Sequence, residues 1–176
     1  MAMLKGQDIA ILLKLAADGG KRQSYARLAA DLGLSPSEAH AGVLRLAGAG
    51  LVDADHKRVL VAGAVEFLRH GLKYVFPLER RGGLCRGVPT AHAVPCAASV
   101  FTSDGEPPPV WPDADGSVRG IGVAPLYRAA SRVARKDERL YELLALADLL
   151  RGGRARERAW AETRIEKMLK AAESKP

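Results

Sequence analysis

The run Leu32-Gly33-Leu34-Ser35-Pro36-Ser37-Glu38 stops one helix and starts another almost at once, and it restricts the fold more than any other stretch. Glycine at position 33 suits the left-handed residue that closes a helix, because it has no Cβ to strike the neighbouring carbonyl. Leu34 can then fold back onto the preceding turn. Ser35 stands where a hydroxyl can accept from a free amide of the new helix, and Pro36 follows where a missing N–H costs nothing. Glu38, three residues after Ser35, completes a capping box. The chain must therefore carry two helices joined by a sharp turn.

The flanking patterns supply the rest of an arrangement. Ile9, Ala10, Leu12, Leu13 and Ala16 form a helix-period stripe that stops at Gly19-Gly20, and Tyr25, Leu28, Ala29 and Leu32 form a second one. A third helix is expected from Ser35 to about Ala49. Its buried side is Ala39, Val43, Leu46 and 49–51, which turns Ser37, Glu38, His40, Ala41, Leu44 and Arg45 outward. Two β-like runs, Leu51-Val52 and Val59 to Val61, flank the polar stretch 53–58, and a fourth helical stripe ends at Gly71. The order is helix, helix, helix, strand, strand, helix. Small residues near the start of the third helix would let its backbone approach a DNA groove, and His40 and Arg45 are the side chains best suited to base edges.

Leu28-Ala29, Leu32-Gly33-Leu34-Ser35, Leu46 and Ala49-Gly50-Leu51-Val52 resemble the winged helix-turn-helix of bacterial regulators of the MarR-like, IclR-like and Lrp-like groups. The resemblance covers about residues 5–70, and it implies a DNA-binding domain over 1–71 and a role in transcription regulation. It makes 35–49 the recognition helix in the major groove of double-stranded DNA and 51–61 the wing. The implied contacts are Lys21, Arg22, Ser35, Ser37, His40, Ala41, Arg45, His56, Lys57 and Arg58. A homodimer reading two half-sites is the expected partner arrangement.

After Leu72 the texture changes. Leu72 to Phe76 reads as a strand closed by Pro77, and 80–98 and 103–124 read as long loops with short strands at 98–101 and 110–111. Helices are expected over about 126–135, 137–151 and 154–172. The fold class is α+β and mostly α, with a C-terminal α+β region over 72–176 ending in two or three helices. Leu140, Leu143, Leu144, Ala147 and Leu150 line one helix, and Ala161, Ile165, Met168, Leu169 and Ala172 line the last. These stripes either complete a monomer's core or dimerise, and Trp160 beside them is a candidate anchor for a partner. The alternative to DNA binding is a protein-interaction module or antitoxin-like adaptor using these helices.

Chemistry-bearing clusters are sparse. Cys85, His92 and Cys96 lack the tight spacing and fourth ligand of a zinc site, so no metal is expected. The Arg-Gly pairs at Arg81, Arg86 and Arg119 combine bidentate donors with bendable backbone, the candidate clamp for a small anionic effector. No phosphate-loop or dinucleotide pattern occurs, and nothing supplies a paired base and nucleophile, so neither an enzyme nor a cofactor is expected. The Asp53/Asp55 and Asp113/Asp115 pairs read as turn builders. The net charge is +7, with an isoelectric point near 9.7. Residues 126–176 hold thirteen basic against eight acidic residues, whereas 1–62 hold eight against six. The surplus thus lies mainly outside the segment expected to read DNA. The N-terminus lacks a signal-peptide pattern and no apolar run is long enough for a bilayer, so no membrane and a cytoplasmic location are expected.

Overall fold

The structure, a computed structural model, describes residues 3–21, 23–101 and 105–173. Arg22 lies outside the described residues. The fold is mixed α+β and predominantly helical, as expected.

Helix α1 (Gly6–Ala17) is the axis of the molecule. Every residue from Asp8 to Ala17 is buried, because α2, α3, α8 and α9 all pack against it. An apolar run of this kind needs covering on all sides. α2 (Tyr25–Leu32) and α3 (Pro36–Gly48) follow, then the two-residue strands β1 (Val52–Asp53) and β2 (Arg58–Val59), paired antiparallel with Val52 opposite Val59.

From Val61 the chain is helical through Val75: α4 (Val61–Glu66), a π turn (Phe67–Gly71) and α5 (Leu72–Val75). The strand expected over 72–76 is thus helix. Leu68 and Leu72, four apart, are both fully buried on one face, and that packing carries the helix past Gly71. Gly71 does not end the helix; a Cβ there would strike the Phe67 ring. The boundary expected at 71–72 falls inside this helical run. One hydrophobic cluster takes in buried residues on both sides of it, from Ile9 to Leu169.

The segments expected as loops form a small closed barrel. β3 (Arg80–Pro89) pairs antiparallel with β4 (Pro109–Pro112) and with β5 (Val118–Val123), and β4 and β5 close the ring as a short parallel pair. Several glycines here are spacers. A Cβ on Gly87 would strike the Trp111 carbonyl, and one on Gly120 would strike the Pro108 carbonyl. A three-stranded ring brings backbones closer than side chains allow, so a sequence of Gly, Pro and Arg makes strands without an apolar alternation. The strand expected at 98–101 is absent; α6 (Pro95–Ala98) and a turn occupy it.

α7 (Ala130–Ala134), α8 (Glu138–Gly152) and α9 (Ala155–Glu173) complete the chain. The leucine stripe of α8 is spent within the monomer: Leu140, Leu143, Leu144, Leu146 and Leu149 are fully buried. Ala161, Ile165 and Leu169 of α9 are buried likewise. Trp160, expected as a partner anchor, packs edge-on against Phe101 with ring centroids 5.5 Å apart.

Buried acids pin these layers together. Asp148 of α8, fully buried, accepts from Thr90 Oγ1 at 2.8 Å and Trp111 Nε1 at 2.7 Å through one oxygen. Its other oxygen accepts from Arg151 Nη1 at 2.6 Å, and Arg151 Nε donates to the Phe76 carbonyl at 2.7 Å. One carboxylate therefore ties α8 to β4 and to Thr90 after β3, with Arg151 adding the end of α5. Lys14 of α1 joins Asp18, Asp31 and Asp137 in the same way. Burial opposes its charge, but hydrogen bonds to Asp18 and Asp137 outweigh this and carry its pKa up to about 12. Among the described residues, no helix is long and apolar enough to cross a membrane.

Candidate nucleic-acid interface

The turn between α2 and α3 has the chemistry read from its residues. Ser24 caps α2 by accepting from the Arg27 amide at 3.1 Å. Gly33 closes it at φ +67°, and the Leu34 amide reaches back to the Ala29 carbonyl at 2.9 Å. The Ser35 hydroxyl accepts from the Glu38 amide at 3.2 Å, while Glu38 Oε2 accepts from the Ser35 amide at 2.8 Å. The amide and hydroxyl of Ser35 hold the Glu38 carboxyl below its ordinary pKa, so a fixed negative charge sits at the start of α3. Ser35 is exposed, but its hydroxyl is engaged by the cap.

α3 presents Ser37, His40 and Leu44 outward, with Ala41 half-buried beside them. Leu44 is 51% exposed, which is unusual for a leucine in mid-helix. The inner face is Ala39, Gly42, Val43 and Leu46; Ala49 and Gly50, expected inside, are exposed, and only Leu51 of that trio is buried. Gly42 is the unexpected member. A Cβ there would strike Ile11 Cδ1 and lie 2.9 Å from Asp8 Oδ1, so its absence lets α3 sit tightly on α1.

Tyr25 joins this face to the hairpin. The His40 ring meets it edge-on with centroids 4.9 Å apart, and the Lys57 ammonium lies 4.6 Å from its centroid on the hairpin side. In the sequence Tyr25 belongs only to the apolar stripe of α2, because His40 and Lys57 lie in other elements. Lys57 holds a left-handed backbone at φ +51°, which closes the hairpin turn. Asp53 organises that turn by accepting from the Asp55 and His56 amides and meeting His56 Nδ1 at 2.9 Å. The side-chain bond to His56, ahead of the backbone bonds, lowers the Asp53 pKa. His56, Arg58 and Lys21 are exposed.

Arg45 corrects the expectation placed on it. Its Nε and Nη2 donate to Asp8 Oδ2 and Oδ1, both at 2.7 Å, and Asp8 is fully buried on α1. This bidentate pair turns Arg45 into the core side of α3, so its fork is not offered to a base edge. Helical periodicity alone could not show this, because Asp8 lies 37 residues away.

Part of the C-terminal charge surplus lies beside the same turn. Arg132 packs over Gly33, where a Cβ would strike its Nη2, and Arg128 stands near it along a cleft of about 480 Å³ that reaches Leu34 and Glu38. Positions 33 and 132 meet only in the fold, and nothing local in the chain links them. The expected anionic clamp is only partly assembled. Arg86 and Arg119 face each other directly across β3 and β5 and are both exposed. Arg81 shares the opposite side with Cys85, near Gly122. Cys85 and Cys96 are free thiols, His92 lies 3.7 Å from Glu157, and among the described residues no group of metal-ligating side chains converges.

No protein-family model, curated protein or solved structure gives a significant match to this chain.

Proposed function

We propose that the chain is a DNA-binding transcriptional regulator of the winged helix-turn-helix kind, with α3 in the major groove and the β1–β2 hairpin as a short wing on the backbone. The observation that carries this reading is the Tyr25 junction, which sets the outer face of α3 and the hairpin tip on one surface. Small side chains at Ser37 and Ala41 allow close approach, His40 and Ser37 offer hydrogen bonds to base edges, and Leu44 suits a thymine methyl. Lys21, Lys57 and Arg58 supply phosphate contacts that position the helix without reading sequence. Arg45 acts through Asp8, holding α3 on α1. A second copy reading a second half-site would have to meet the first elsewhere than on the leucines of α8, which are buried.

Fluorescence anisotropy with a random-sequence duplex tests this reading. Binding should weaken with salt, with a log–log slope of about −0.9 for each phosphate neutralised. Arg58→Ala should make that slope shallower by about 1 on every sequence, whereas His40→Ala should relax sequence choice. A protein that leaves duplex DNA unbound at low salt would overturn the proposal.

A further inference from the structure

The cleft beside Gly33 has features that the DNA-binding reading does not use. Its volume, about 480 Å³, falls in the range of small-molecule sites and exceeds what a single bare oxyanion needs. One wall is the α2–α3 turn with the first turn of α3; the other is the segment running from Tyr127 into α7. Arg128 and Arg132 border it with exposed guanidiniums, and among the described residues neither forms an ion pair. Leu34 and Ala129 contribute apolar surface.

Tyr127 is the decisive member. It lines the cleft and is 6% exposed, yet among the described residues its buried hydroxyl has no hydrogen-bond partner. Leaving such a group unpaired costs about 1–3 kcal/mol, so natural cores rarely keep one without a use. Burial pushes its pKa up, and the Arg132 charge pulls it back in part. An unsatisfied donor, an apolar surface and two cations on one wall, set against the single Glu38 carboxylate on the other, suit a ligand with an anionic head and an apolar body.

We infer that this cleft binds a small organic oxyanion, a phosphate monoester or carboxylate, held by Arg128 and Arg132 with the Tyr127 hydroxyl as donor and its apolar part against Leu34 and Ala129. Because Glu38 lies on the same wall as Leu34 and caps α3, occupancy would reach the helix assigned to DNA. That last consequence rests on the proposed function; the binding itself does not.

The test is calorimetry and thermal melting of the full chain with phenyl phosphate, inorganic phosphate and a duplex as separate probes. Phenyl phosphate at millimolar concentration should bind and raise the Tm, more than inorganic phosphate does. Arg128→Ala/Arg132→Ala should abolish the shift. Tyr127→Phe should melt without ligand at or above the wild-type temperature, since it removes a hydroxyl with no partner, and should bind the probe about tenfold more weakly, a loss of about 1.4 kcal/mol. Absence of phenyl phosphate binding to the wild type, or binding that survives the double arginine variant, would overturn the inference. So would a duplex whose binding needs both arginines while neither small probe binds. Since the small-probe measurements contain no DNA, their failure is separable from a failure of the DNA-binding reading.

Discussion

The segment from Ser24 to Val59 and the barrel from Arg80 to Val123 use much the same vocabulary of glycine, serine, arginine and proline, with opposite logic. In the first, the capping and turn-building residues act within a few positions: Ser24 on Arg27, Ser35 on Glu38, Asp53 on His56. In the second, the residues that shape the ring act across the fold: Gly87 clears Trp111, Gly120 clears Pro108, and Arg86 is set opposite Arg119. Gly33 is chosen for its backbone angle, whereas Gly120 is chosen because another chain segment passes where a side chain would be. Local chemistry leaves a signature in neighbouring letters, and close approach of distant backbones does not.

The strongest way to break this contrast is through Asp148. Asp148→Ala leaves Arg151, Thr90 and Trp111 without their shared acceptor in a dry site, and should lower stability by about 3–5 kcal/mol. Hydrogen exchange should show the barrel amides losing protection before those of α2 and α3. Equal loss in both regions would mean that the barrel is not a separable layer of the fold. A smaller effect separates the two kinds of glycine. Gly120→Ala drives a methyl into the Pro108 carbonyl and should cost about 1–3 kcal/mol by overpacking. Gly33→Ala should cost about 1 kcal/mol through its positive φ, since the Arg132 tip can move aside. Urea melts of the two variants should rank them in that order.

The smallest effect is the response to acid at the α1–α8 junction. Burial acts against the Asp137 charge, but the Leu140 amide and Lys14 outweigh it and leave the pKa lowered. Its stabilisation is therefore fully present above the ordinary aspartate value of about 3.9 and fades as pH falls through the lower folded value. Lys14, raised from about 10.5 to about 12, stays charged throughout that window; its own contribution is fully present below the ordinary lysine value and is lost as pH rises through the folded one. Thermal melts should be flat near neutrality and fall in acid, and Asp137→Asn should flatten part of that fall.

The candidate interface was legible in unequal parts. The α2–α3 turn and the hairpin position followed from caps and punctuation. Arg45 was assigned outward because a helical wheel cannot tell a solvent-facing arginine from one drawn back onto a buried acid on another helix. Tyr25 was credited with packing alone, since its partners His40 and Lys57 lie in other elements. Arg128 and Arg132 were counted only in a regional charge, because nothing local ties them to Gly33.

By itself the sequence determined the stop of α2 and the start of α3, the mostly helical α+β class and the apolar faces of α1, α8 and α9. These follow from interactions within one or two turns, or from the need to cover apolar surface somewhere. Only the tertiary structure decided that 80–123 closes into a barrel, that the leucines of α8 are spent inside one chain, and that Arg45 is drawn onto Asp8 while Arg128 and Arg132 border the cleft at Gly33. Those outcomes depend on which distant segments meet: a backbone ring with no room for side chains, a core that claims an apolar helix first, and a buried carboxylate within reach of one guanidinium but not another.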